Sequence, residues 1–108
     1  MAKVVEILDV NLPDHPYKIY IGVDLLDDIA NFLEPHLIRK KIVVITEITV
    51  SNLYLDQLKA SFDNALIKHD VLILPAGEGS KCWETLSKTV EWLIEKRVER
   101  DDLILAFG

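Results

Sequence analysis

Three short apolar runs most constrain this chain: "KIVVIT" (41–46), "DVLILPAG" (70–77) and "DDLILAFG" (101–108). Each is continuous rather than alternating, the pattern of a strand covered on both faces, as in a parallel sheet. The stretches between them are amphipathic. In "VSNLYLDQLKASFDNAL" the spacing puts Leu55, Leu58, Phe62 and Leu66 on one helical face. In "SKCWETLSKTVEWLIEKR" (80–97) it does the same for Trp83, Leu86, Val90, Leu93 and Ile94. Glu84 and Lys88 form a favourable i,i+4 pair, and Lys96-Arg97 suit the negative C-terminal end of that helix. Strand, helix, strand, helix, strand predicts an α/β fold, a Rossmann-like parallel sheet in three layers. Right-handed crossovers then bring all three strand C-termini to one edge.

The first quarter of the chain reads differently. "KVVEILDV" and "YKIYIGVDLL", joined by the Pro-punctuated "NLPDHP", predict an antiparallel β-hairpin. Tyr17, Ile19 and Ile21 alternate with Lys18 and Tyr20, as when one sheet face is buried. Gly22 is expected to end the second strand. Asp24 is expected to cap a short helix over "LLDDIANFLEPHL", with Leu26, Ile29, Ala30 and Leu33 on one face and Pro35 ending or bending it.

With 108 residues, half of them apolar, the chain is one domain's worth and can bury a core. The formal charge of −6 argues against a nucleic-acid partner. The basic cluster Arg39-Lys40-Lys41 reads as a solvated loop. No apolar run approaches the roughly 20 residues of a membrane span, and no signal-peptide core builds up at the N-terminus. A lone cysteine, Cys82, permits no internal disulfide, which suits a reducing cytoplasm.

In open α/β sheets ligands bind beyond the carboxyl ends of the strands. Three segments are predicted to meet there: Thr46-Glu47-Ile48-Thr49, Ala76 to Lys81, and Gly108. In "AGEGSK" Gly77 and Gly79 allow positive φ and close approach of a ligand to the backbone. Ser80 suits an N-cap, Glu78 could accept from sugar hydroxyls, and Lys81 could meet phosphate or ribose. The same loop is also readable as a tight turn plus a helix cap. It lacks the third glycine of a dinucleotide fingerprint, where Cys82 stands, and the spacing of a P-loop. Glu47 could accept from an adenosine ribose and Thr49 could add a hydroxyl contact. Equally, Thr46 or Thr49 could cap the next helix while Glu47 steadies its N-terminus. His15, His36 and His69 lack metal-site spacing. Cys82 has no sequence-adjacent base and reads as an inert thiol. Trp83 reads as core, and Trp92 as half-exposed or part of an interface.

"LILPAGEGSKCWETLSKTVEWLIEKRVERDDLILAFG" resembles the 3-dehydroquinate synthase pattern P-[DA]-G-E-x-x-K, a helix, then R-x-D-x-[LIV]-[LIV]-A-[LF]-G-G-G. Pro75, Gly77, Glu78, Lys81, Arg100, Asp102, Ala106 and Gly108 fall on it, and "YKIYIGVDLLDDI" is similar to the family's opening hairpin and helix. The resemblance implies the N-terminal NAD-binding domain of a longer enzyme, with cofactor contacts among Thr46, Glu47, Thr49, Ala76, Gly77, Glu78, Gly79, Ser80, Lys81 and Gly108. Many members carry Thr-Asp where Thr46-Glu47 stand, and Asn where Thr49 stands. The implied chemistry is cyclisation of a phosphorylated seven-carbon sugar acid to 3-dehydroquinate with phosphate release, on the shikimate route to aromatic amino acids. It uses NAD and a divalent metal, zinc or cobalt, whose ligands fall beyond Gly108 in a C-terminal domain. A cytoplasmic homodimeric parent follows from the same resemblance, and the 108 residues alone are expected to be catalytically inactive. Exposed apolar surface and self-association are expected once the rest of such a parent is missing. A related sugar-phosphate cyclase, a metal-dependent polyol dehydrogenase, or a stand-alone binding module share the same scaffold logic.

Overall fold

A computed structural model describes residues 2–77 and 82–108. Strands β1 (Lys3–Val10) and β2 (Tyr17–Val23) pair as the expected antiparallel hairpin. A 3-10 turn (Leu25–Asp28), the short helix α1 (Ile29–Leu33) and a second 3-10 turn (Glu34–His36) follow. Then come β3 (Lys41–Glu47), α2 (Ile48–Asn64), β4 (Lys68–Leu74), α3 (Trp83–Glu95) and β5 (Leu103–Phe107). The last three strands form a parallel sheet, as their continuous apolar runs require, in the order β4-β3-β5.

That order locates the functional edge. The chain moves from β3 to β4 on one side, then returns past β3 to β5 on the other. With right-handed crossovers the two connections lie on opposite faces, so the gap between β3 and β5 is a topological switch point.

The core explains why β3 is central. Ile42 and Val44, alternate residues on one face of β3, join Leu55, Leu58 and Phe62 of α2, with Ala30 and Ile67. Val43, on the opposite face, is also fully buried. Phe62 tilts against the His69 ring, with centroids 5.4 Å apart. The N-terminal turns attach to α2 through polar contacts as well. Gln57 Nε2 donates to Asp27 Oδ1 at 2.8 Å, and the Ala30 amide lies 3.4 Å from Ser61 Oγ.

Several expectations give way to the structure. Leu66 is not on the core face of α2. The helix ends at Asn64, Leu66 takes a left-handed φ of 58°, and its side chain is 81% exposed. The chain reverses here to reach β4, so the helical period no longer applies. Trp83 is likewise not core, being 81% exposed, and Leu86, Val90 and Ile94 are exposed beside it. The half-buried side of α3 carries Thr85, Thr89, Trp92 and Leu93 instead. The helix is thus rotated from the expected pose, and its most apolar stripe is not buried by the described residues. Glu84 and Lys88 do pair, at 3.4 Å, and Lys96 stands at the C-cap.

Asp24 does not cap with its side chain. A capping residue is normally extended, whereas Asp24 has φ 55°, and only its backbone carbonyl takes part, accepting from the Asp27 amide at 3.1 Å. Pro35 sits in the turn that ends this region, as expected. Gly22 does not end β2. It pairs with Val4 beside a bulge, where a Cβ would lie 2.2 Å from the Lys3 carbonyl oxygen. Because that obstacle is backbone, Gly22→Ala is expected to displace the hairpin and destabilise the chain by about 1–3 kcal/mol, the scale of overpacking. Urea unfolding with hydrogen exchange at β1 and β2 measures this.

The basic cluster is more than a solvated loop. Arg39 grips Asp102 in a two-pronged contact, Nε to Oδ1 at 2.9 Å and Nη2 to Oδ2 at 2.6 Å, and Glu99 lies 3.5 Å from the same guanidinium. Asp102 Oδ2 also accepts from the Glu99 amide at 2.8 Å, and Lys41 Nζ donates to the Lys96 carbonyl at 3.0 Å. These contacts tie the entries of β3 and β5 together at the edge opposite the strand C-termini. The Arg39 guanidinium, then the Glu99 amide, hold the Asp102 carboxyl below its ordinary range. A depressed carboxyl favours the folded state above its unfolded pKa of about 3.9, and this contribution is lost as pH falls through the folded value. Wild type should therefore lose stability below about pH 4 more steeply than Asp102→Asn, in acid unfolding curves.

Candidate functional site

The cleft beyond the strand C-termini has a volume of about 920 Å³. Its floor is the ends of the three strands: Ile45 to Glu47, Leu74 to Pro75 and Ala106 to Gly108. Its second wall is the first turns of α3, with Cys82, Trp83, Thr85, Leu86 and Thr89. The cleft therefore lies against the β3–β5 switch point.

Of the residues chosen from sequence, Thr46, Glu47, Gly77 and Gly108 line this one cleft. Thr49 is exposed in the first turn of α2, and Ala76 is exposed before Gly77; neither lines it. Glu78, Gly79, Ser80 and Lys81 lie outside the described residues. Gly77 has φ +97°, and apart from its chain neighbours no atom of the described residues lies within 4 Å of where its Cβ would be. Only glycine takes this conformation without strain.

Glu47, rather than Thr46 or Thr49, caps α2. Its backbone is extended, and its Oε1 accepts from the Val50 amide at 2.7 Å. A carboxylate offers about four acceptor sites, so one capping bond leaves capacity for ligand hydroxyls. Thr46 is 3% exposed, and its hydroxyl donates to the Phe107 carbonyl at 2.7 Å. The N-cap position of α3 is Cys82. The Cys82 thiol is exposed on the cleft, with Sγ 3.4 Å from Thr85 Oγ1. Hydrogen bonding to the Thr85 hydroxyl and backbone draws it below the ordinary thiol range.

The α3 wall was missed from sequence. The available signal was Thr85 and Thr89, two hydroxyl residues one turn apart, in a helix whose start must share an edge with the end of β4. Thr89 Oγ1 is committed to the Thr85 carbonyl at 2.8 Å. Among the described residues no three His, Cys, Asp or Glu side chains gather as a metal ion would require. Nor is any described helix long and apolar enough to cross a membrane.

No family model matches the chain. Curated relatives do. The chain is 40% identical over 99 residues to a 3-dehydroquinate synthase of Roseobacter denitrificans, covering 92% of the chain and 27% of the relative. It is 41% identical over 101 residues to one from Neisseria meningitidis, covering 94% and 28%. It is 38% identical over 104 residues to one from Cereibacter sphaeroides, covering 96% and 28%. The chain thus spans about a quarter of the length of these relatives. With a parallel α/β sheet, an N-terminal hairpin and this identity along nearly all of its residues, the chain belongs to the 3-dehydroquinate synthase family.

Proposed function

We propose that this chain is the NAD-binding domain of a 3-dehydroquinate synthase. The observation that carries the reading is the convergence of Glu47, Gly77 and Gly108 on one cleft at the β3–β5 switch point. Open α/β sheets hold dinucleotides at such a point. Glu47 supplies a carboxylate for ribose hydroxyls, held in place by its cap bond to Val50. Gly77 lines the cleft without a Cβ, which favours close approach of the pyrophosphate or a ribose. Glu78 and Lys81 belong to the same proposal by sequence position, as the acceptor and the cation of the loop after β4. Leu74, Ala106 and Phe107 give the cleft apolar flanks.

When bound, NAD supplies a reversible hydride acceptor. In the whole enzyme this accompanies conversion of 3-deoxy-D-arabino-heptulosonate 7-phosphate to 3-dehydroquinate and phosphate, a lyase step of the shikimate pathway. Substrate contacts and the divalent zinc or cobalt belong to other residues of that enzyme, which we take to be cytoplasmic and homodimeric. These 108 residues orient the dinucleotide and carry no catalytic group.

Calorimetric titration of the chain with NAD tests this, with Glu47→Ser as control. Binding that weakens in the control supports the reading. Equal binding by both overturns it.

A further inference from the structure

We propose that Thr46 is a positioning residue: its hydroxyl fixes where the chain leaves β5 and so shapes that wall of the cleft. Thr46 pairs with Phe107 as the last rung of the β3–β5 ladder. Past that rung β3 has only Glu47, which pairs with Leu74 of β4 and caps α2, so the β3–β5 ladder ends here. There Thr46 Oγ1 donates to the Phe107 carbonyl at 2.7 Å.

A threonine hydroxyl has a single proton, and here it is used within the protein, at a residue only 3% exposed. By strand alternation Thr46 shares a face with the buried Ile42 and Val44. Its β-branched side chain is stiff at χ1, so the direction of the bond is fixed by the strand. The next residue, Glu47, does the matching work on β3, since its carboxylate holds the first turn of α2. Adjacent side chains thus lock the exits of both strands that flank the switch point. Gly108, directly after Phe107, lines the cleft. The consequence for a bound dinucleotide rests on the reading given under Proposed function; the local consequence for β5 does not.

The test compares Thr46→Val, which keeps the shape and removes the donor, with Thr46→Ser, which keeps the donor. Amide hydrogen exchange is read across the chain, and NAD affinity is read by titration. In Thr46→Val, exchange at residues 106–108 should rise about fivefold to tenfold, the scale of one hydrogen bond, while α2 and β4 stay within about twofold. NAD affinity should fall by a similar factor. Thr46→Ser should stay within about twofold of wild type in both. Unchanged exchange at 106–108 in Thr46→Val overturns the proposal. So does an equal loss of affinity in both variants with exchange unchanged, which would make Thr46 a direct ligand contact. If no form binds NAD, a Val-specific rise at 106–108 still upholds the role of Thr46, and the dinucleotide reading is what fails.

Discussion

Phe62→Ala is expected to cost about 3–5 kcal/mol, the largest stability effect of any single substitution argued for this chain. The ring has no exposed surface and sits where α2 crosses the sheet, among Leu58, Ile42, Val44 and Ile67. Removing it deletes contacts on several elements at once, and strand-bound neighbours cannot collapse into the gap. The Phe62 carbonyl also accepts the Ala65 and Ile67 amides, at 3.2 and 2.9 Å, so the C-terminus of α2 and the entry to β4 turn on this residue. For a domain whose total stability is about 5–15 kcal/mol, such a loss brings it close to its folding midpoint. Urea unfolding should show a lower midpoint with an unchanged slope. Leu66→Ala, which the helical period would rank beside it, should change stability by less than about 0.5 kcal/mol because Leu66 is exposed.

Glu47→Ser is expected to weaken dinucleotide binding by about tenfold or more while leaving stability nearly unchanged. Serine is a good N-cap, so the α2 terminus keeps a side-chain acceptor for its early amides. It is too short to reach a ribose from the end of β3, and it removes a charged acceptor. Hydrogen bonds to charged groups are worth about 1.5–3 kcal/mol, which corresponds to roughly 10- to 100-fold in affinity. Titration of both forms with NAD, beside their thermal unfolding, separates the two roles of Glu47. A large loss of stability with unchanged affinity would leave it a cap alone.

Much of the fold could be read from the chain because backbone hydrogen bonding and burial both act locally. The continuous runs at 41–46, 70–77 and 101–108 read as strands, and three such strands joined by amphipathic helices have few topologies. Only β3 is covered on both faces, however, since Ile73 of β4 and Ile104 of β5 are exposed among the described residues. Strand order was not legible, because it depends on which way each crossover turns, and no local pattern encodes that. Leu55, Leu58 and Phe62 were placed correctly since α2 keeps its period to Asn64. Leu66 and Trp83 were misplaced for different reasons. Helix α2 ends at Asn64 and Leu66 is itself left-handed, and the half-buried side of α3 carries threonines with Trp92 and Leu93, not the most apolar stripe. At the site, Glu47 and Gly77 stood out by residue type at a strand end. The hydroxyl bond from Thr46 to Phe107 did not, because it joins residues 61 positions apart whose alignment follows only from the β3–β5 register. The Arg39–Asp102 clamp, 63 positions apart, was hidden in the same way.

The most direct test of the central claim, that the β3–β5 switch point holds a dinucleotide, is residue-resolved NMR titration of this chain with NAD. The amides of Glu47, Gly77, Thr85 and Gly108 should shift together along one binding curve, while Lys68 and Asp102 at the opposite edge stay fixed. Shifts gathered at that opposite edge or on the β1–β2 hairpin, with the cleft residues unmoved, would contradict it.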